Sequence, residues 1–278
     1  MSPPETSAAD RWARSLASLS IPEPILAAAP ESPYGFPREL FVHRAEAARK
    51  MGPSSSDLRA LEALPAGGTA LDVGCGGGAS SLALAGRASH LTGVDPSWDL
   101  LRAFAEACEL AGVGATTIEG RWPDVAGRAP ECDVAVCHHV LYNVPDIAPF
   151  VEALATHTRH RIVVEITEVH PLAWTRDLWS TFHDVEMPGG PTADDLADVL
   201  FELGIHPRRE DHERRAHGGF VERAAAVAWI RRRLCLPADR DDELAAALGN
   251  RLALHDGLWS AGPAVPSSFV TLWWDTGN

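Results

Sequence analysis

The chain is short of the features that mark membrane, secreted or nucleic-acid-bound proteins. No apolar run approaches the roughly 18 residues that a membrane span needs, so no association with a membrane is expected. The opening residues, MSPPETSAADRW, lack the basic-then-apolar order of a secretory leader, and export is not expected either. Cysteine is sparse: Cys75, Cys108, Cys132, Cys137 and Cys235 are odd in number and form no CxxC pair. That pattern fits a reduced, cytoplasmic protein. Basic residues are outnumbered, 24 against 38 acidic, giving a net charge of −14. A surface this acidic opposes docking on a polyphosphate, so nucleic acid is not an expected partner. Internal repeats and low-complexity tracts are absent. With 46 % hydrophobic residues in 278 positions, the chain can bury one substantial core, as a single domain or a domain with a smaller appendage. The acidic balance favours small-molecule chemistry, and a monomer or homodimer is expected.

Two compositions follow one another. Residues 1–62 are rich in Ala and Pro and contain no strand-like run. Their short amphipathic stretches (RWARSLASL, ELFVHRAEAARKM) predict a helical N-terminal extension or cap. Pro53 and Ser54 to Ser56 predict the start of another helix at 57–63. The second region, 63–278, alternates short apolar runs with helical patterns. TALDVG, HLTGVD, ATTIEG, CDVAVCHH and RIVVEIT read as parallel strands covered on both faces. ASSLALAG, SWDLLRAFAEACELAG and IAPFVEALATHT read as the helices between them. The alternation predicts an α/β, Rossmann-like doubly wound sheet. Segment 168–190 interrupts it. TADDLADVLFELG (192–204) restores it, with Thr192 as N-cap and Gly204 closing the helix. Helical stretches at 219–235 and 240–254, within a 216–262 insertion, precede a final strand, SFVTLWWD.

One turn carries the chemistry. In ALDVGCGGGASSLAL (70–84), an apolar strand bearing Asp72 breaks into Gly74, Cys75, Gly76, Gly77 and Gly78, then restarts as a predicted helix. Glycines at a strand-to-helix turn let backbone approach a ligand closely, and a helix N-terminus would favour its anionic end. A nucleotide-like cofactor follows. GCGGGA at 74–79, with Asp95 about 20 residues on, satisfies a relaxed dinucleotide fingerprint. An oxidoreductase using NAD(P) is therefore one reading.

The other comes from a resemblance. With Asp72 two residues before Gly74, the segment resembles motif I of class I S-adenosylmethionine-dependent methyltransferases, and the likeness continues in order for about 100 residues. It implies a seven-stranded sheet whose last strand is antiparallel. It implies S-adenosylmethionine as cofactor, S-adenosylhomocysteine as product and methyl transfer to a small-molecule oxygen or nitrogen. By the same resemblance Asp72, Gly74, Cys75, Gly76 and Gly78 form the cofactor turn. Asp95, followed by Pro96, would bind the ribose diol, a bidentate geometry. Glu119 and Gly120 would flank the adenine. Arg121 stands where the family has an acidic residue, so the adenine would be held by backbone at 120–122 with the Trp122 ring on its face. CDVAVCHHVLYNVPD would run beneath the methionine part, bringing His138 to the cofactor. HHVLYNVP also stands in place of the Asn/Asp-Pro-Pro-Tyr/Phe tetrapeptide of nucleic-acid amino-methylating enzymes. A non-catalytic cofactor-binding protein is the third reading.

Candidate bases are His138, His139, Tyr142, Glu165 and His183, since a hydroxyl acceptor must lose a proton to such a group. A histidine at such a strand edge is more often a satisfied structural residue than a base. Trp174, Trp179 and His183 after the fifth strand suit either a substrate pocket or a satellite core under a long loop. His157 and His160 have no carboxylate or cysteine cluster beside them, and no metal site is expected. Arg231, Arg232 and Arg233 read as a solvated helix face.

Overall fold

A computed structural model of the chain describes residues 6–35, 37, 39, 40, 42, 43, 46, 52–214, 219–263 and 267–277. The predicted helix at 39–51 falls mostly outside them. The apolar runs do become strands: β1 (Gly68–Val73), β2 (Ala88–Asp95), β3 (Gly114–Glu119), β4 (Cys132–His138) and β5 (Thr158–Thr167), all parallel. β9 (Ser267–Asp275) pairs antiparallel with β5, and β6 (Arg208–Arg214) pairs antiparallel with β9. The sheet order is β3-β2-β1-β4-β5-β9-β6. Strand order reverses at β1, so the crevice beyond its carboxyl end lies between β2 and β4, where open α/β sheets hold ligands.

Alternation along the strands divides two buried faces. Leu71, Val73, Val164 and Ile166 meet α1 (Ala8–Ala17), α5 (Ile147–Thr156) and α7 (Ala193–Glu202). Ala70, Val134, Val136, Val163 and Trp273 meet α3 (Ser55–Ala63) and α4 (Trp98–Ala111). Asp72 and Glu165 share the parity of this second face. The caps on these helices come from the expected residues: Ser54 closes a capping box with Asp57 on α3, and Thr192 one with Asp195 on α7.

A third core stands apart from the sheet. Leu178 and Trp179 of α6 (Arg176–His183) pack with Val227, Trp229 and Ile230 of α8 (Arg223–Arg233) and with Leu244 of α9 (Asp241–Leu248). Ile25 of α2 (Glu23–Ala28) packs against it, and a hairpin of β7 (Leu252–His255) and β8 (Leu258–Ala261) completes it, turned by Asp256 and Gly257 at φ 50° and 79°.

Three expectations need correction, and one strand carries no apolar signal. No α-helix follows the glycine turn; residues 79–86 hold only a 3-10 turn at Leu82–Leu84, because Ser80 and Ser81 turn inward. The seventh strand, RREDHER, escaped an apolar pattern because it is an edge strand, where charge protects against stray pairing. The hairpin replaces the end of the helix expected at 240–254. The three arginines are not a solvated face. Arg231 pairs with Glu31 at 2.9 Å, and Arg232 and Arg233 both donate to the Gly35 carbonyl at 3.1 Å. Arg233 also lies 4.3 Å over the Trp229 ring. Together they latch the extension to the satellite core.

At its other end the extension is held by α1. Trp12 is fully buried and its indole N–H donates to the Val144 carbonyl at 2.8 Å, while the Ala8 N–H donates to both Glu202 oxygens at 2.7 Å. Trp12→Ala should cost about 3–5 kcal/mol of local packing. Limited proteolysis should then cut within residues 6–20 at protease levels that leave the wild type whole. An unchanged digest would contradict the anchoring.

Candidate functional site

The site is built at the carboxyl edge of β1, β2, β4 and β5. Asp72, fully buried at the end of β1, accepts from Ser80 Oγ at 2.9 and 2.7 Å and from Ser81 Oγ at 2.6 Å. Burial pushes its carboxyl up to about 7 against the pull of those two hydroxyls. It therefore locks the turn from beneath. Gly74, at φ 74°, is required for two reasons. A side chain there would be strained, and its Cβ would lie 2.2 Å from Val140 Cγ2. The loop leaving β4 thus seats directly on the turn.

Asp95 ends β2. Its Oδ1 accepts from the Ser97 N–H at 2.9 Å and its Oδ2 from the Gly76 N–H at 3.1 Å. Burial raises its carboxyl while those two amides pull it down. Each oxygen keeps acceptor capacity beyond the one amide it holds. A carboxylate fixed at the switch point, beside a turn of glycines, fits a ribose diol. Cys75 offers only backbone, since its thiol is buried and raised by burial first and by Asp72 and Asp95 second. Gly120 lies beside Asp95, its N–H donating to the Asp95 carbonyl at 3.1 Å. Pro96, Glu119 and Arg121 are exposed around this end.

Trp122 is not a free ring face. It is buried, donates to the Phe150 carbonyl at 3.1 Å and meets His157 edge-on at 5.3 Å. The exposed indole nearby in sequence is Trp98, 56 % accessible and three residues past Asp95. A large aromatic left open at the first turn of α4 was the signal for it.

At β4 and β5 the candidate bases separate. His138 ends β4 in register with Glu165. His139 follows in the left-handed region at φ 60°, held by its N–H to the Glu165 carbonyl at 2.9 Å. Its Nε2 lies 3.1 Å from Glu165 Oε1. Tyr142 is not available as a base. Its buried hydroxyl bonds Thr167 Oγ1 at 2.5 Å and accepts from the Thr167 N–H, and burial drives its ionisation well upward. His170 meets the Tyr142 ring edge-on at 5.4 Å, and burial lowers it to about 4, so it is neutral at pH 7. Trp174, Trp179 and His183 are brought to the satellite core instead: Trp179 is buried there, and His183 Nε2 sits 2.6 Å from the Leu234 carbonyl. Among the described residues no His, Cys, Asp and Glu cluster suits a metal ion, and no helix is long and apolar enough to cross a membrane.

The Asp72 shift has a testable sign. The unfolded chain releases this proton near about pH 4, the folded chain near 7. Stability from this group is full below the first value and is lost as pH rises through the second. Asp72→Asn removes that slope, so urea titrations should show the variant gaining on the wild type from pH 4 to pH 7. A pH-independent difference would contradict the assignment.

Known proteins agree with this architecture. Residues 70–161 match the family described as a methyltransferase domain. A ubiquinone biosynthesis O-methyltransferase of Paraburkholderia phytofirmans is 38 % identical over 92 residues, 33 % of this chain and 40 % of that protein. The enzyme of the same name from Aeromonas salmonicida is 33 % identical over 112 residues, 37 % and 45 % of the two chains. The match thus spans less than half the length of these relatives. The crystal structure of YcgJ from Bacillus subtilis superimposes with a TM-score of 0.51 at 16 % identity, covering 80 % of this chain and 97 % of that one. The glycine turn and the strand order agree with that match, which makes residues 70–161 similar to a methyltransferase domain.

Proposed function

We propose that this protein transfers a methyl group from S-adenosylmethionine to the oxygen of a small molecule. The observation that carries the reading is a juxtaposition. Asp95 at the end of β2 and the His139–Glu165 pair at the ends of β4 and β5 flank the glycine turn that follows β1. When bound, S-adenosylmethionine supplies an electrophilic methyl group on a sulfonium and leaves as the neutral thioether S-adenosylhomocysteine. The chain's own residues bind, orient and take up a proton. Asp95 would accept both ribose hydroxyls in charge-assisted bonds. Glu119 and Gly120 border the adenine end, with the open face of Trp98 as a stacking surface. His139 stands at the acceptor end to receive the hydroxyl proton.

Two further observations favour this over a dinucleotide. The turn leads into a three-residue 3-10 segment, so it offers no helix dipole to a pyrophosphate. The likeness to O-methyltransferases named for ubiquinone biosynthesis supports oxygen as the methylated atom. A net charge of −14 supports a small acceptor over nucleic acid, and five unpaired, buried cysteines suit a reducing compartment.

Calorimetry tests the cofactor. The wild type should bind S-adenosylhomocysteine with one site per chain. Asp95→Asn should weaken it at least tenfold, about 1.4 kcal/mol, and Trp98→Ala should weaken it by a smaller factor. Undiminished affinity in Asp95→Asn, or wild-type binding of NADPH in place of S-adenosylhomocysteine, would overturn the reading.

A further inference from the structure

Glu165 has more partners than one histidine. Its carboxylate is 1 % exposed, on a strand covered by β4 on one side and β9 on the other. Oε1 faces His139 Nε2 at 3.1 Å. Oε2 accepts from the fully buried Ser56 hydroxyl of α3 at 2.7 Å and lies 3.6 Å from His212 Nε2 of β6. The Phe269 ring is wedged against both imidazoles, edge-on to His139 at 5.5 Å and stacked with His212 at 5.7 Å. Three distant stretches of chain therefore converge on this β5 carboxylate: the extension, the β4 exit and the edge strand. Beyond it, Glu210 on β6 is taken up by Arg59 of α3 at 3.0 and 2.8 Å, and Asp57 by Ser54.

A buried carboxylate stays only where donors meet it. Its geometry dictates the state of the ring beside it. A neutral imidazole carries one N–H, and a carboxylate acceptor draws that N–H to the nitrogen it faces. On His139 that is Nε2, which leaves Nδ1 as the basic nitrogen. The His139 side chain is 35 % exposed while its partner is shut away, so the ring spans the boundary between core and site.

Resting on the methyl-transfer reading, we infer that Glu165 is a positioning residue that fixes His139 in the Nε2–H tautomer. Nδ1 then takes the acceptor's proton, and Ser56 and His212 hold the carboxylate in the rotamer that achieves this. As the acceptor oxygen gains the methyl carbon, the carbon–sulfur bond would break with its electron pair left on the departing thioether, while the O–H bond breaks and its proton passes to Nδ1. The imidazolium formed is paired with Glu165 until it releases the proton to water. Such a base suits a hydroxyl that is already acidic, a phenol or enol ionising near about pH 10, better than an aliphatic alcohol. The N-terminal extension thereby contributes a residue to the machinery through Ser56.

Long-range nitrogen NMR of histidine-labelled full-length protein above pH 8 reads the tautomer directly, with His139 assigned by its loss in His139→Gln. The wild type should show Nε2 protonated and Nδ1 bare. Glu165→Gln should give a tautomer mixture, Glu165→Asp should restore much of the wild-type signal, and Ser56→Ala and His212→Asn should shift it part of the way. All should bind S-adenosylhomocysteine within about twofold of wild type. A bare Nε2 in the wild type, or a signal unmoved by Glu165→Gln, overturns the inference. A wild type with the expected tautomer that takes up no S-adenosylhomocysteine overturns the methyl-transfer reading instead. In turnover with a panel of phenols and primary alcohols, product from phenols supports the acceptor class, and product from alcohols alone overturns it.

Discussion

A carboxylate with no path to water sets the shape of this site. Asp72 ends a strand on the sheet's buried face, and two serine hydroxyls eight and nine residues later must reach back to it. That demand keeps residues 79–86 from running on as an α-helix and folds the glycines into a tight bend. The bend presents the Gly76 amide to Asp95 and the bare Gly74 to Val140. The β4 exit settles on the bend, and His139 is delivered to Glu165. Breaking the first contact would loosen each of the others, because they share one short stretch of backbone.

The second theme is closure by the N-terminal extension. Its helices and turns are tied at several separate places: α1 to α7 and the β4 exit, the Glu31 to Gly35 stretch to three arginines, and α3 to the sheet face carrying Glu165. Chemically different ties, a buried indole, cation-to-carbonyl bonds and a buried hydroxyl, hold one strap across the molecule. Ser56 makes this more than packing, since its partner is the carboxylate beside His139.

Much of this was legible in the sequence. Parallel strands buried on both faces announce themselves as apolar runs, and glycines with Asp72 and Asp95 at strand ends mark the crevice at the sheet's switch point. Capping residues placed α3 and α7. What stayed hidden has physical causes. β6 is an edge strand whose charges mask its period, and it carries His212. Ser56 looks like one of three capping serines until the fold shows which one faces inward. The sequence neighbours of Trp122 and Tyr142 point both residues to the site; burial assigns their polar atoms to Phe150 and Thr167 instead. The helix after the turn failed because local propensity yielded to a buried charge.

We propose Asp95 as a ribose-binding carboxylate and His139 as a proton acceptor, set on either side of one glycine turn. A crystal structure of the wild-type protein grown with S-adenosylhomocysteine examines both at once. Density is expected with both ribose hydroxyls on Asp95 and the thioether sulfur over the Gly74 turn, on the side of His139. A nucleoside bound elsewhere, or a ribose turned away from Asp95, would contradict it.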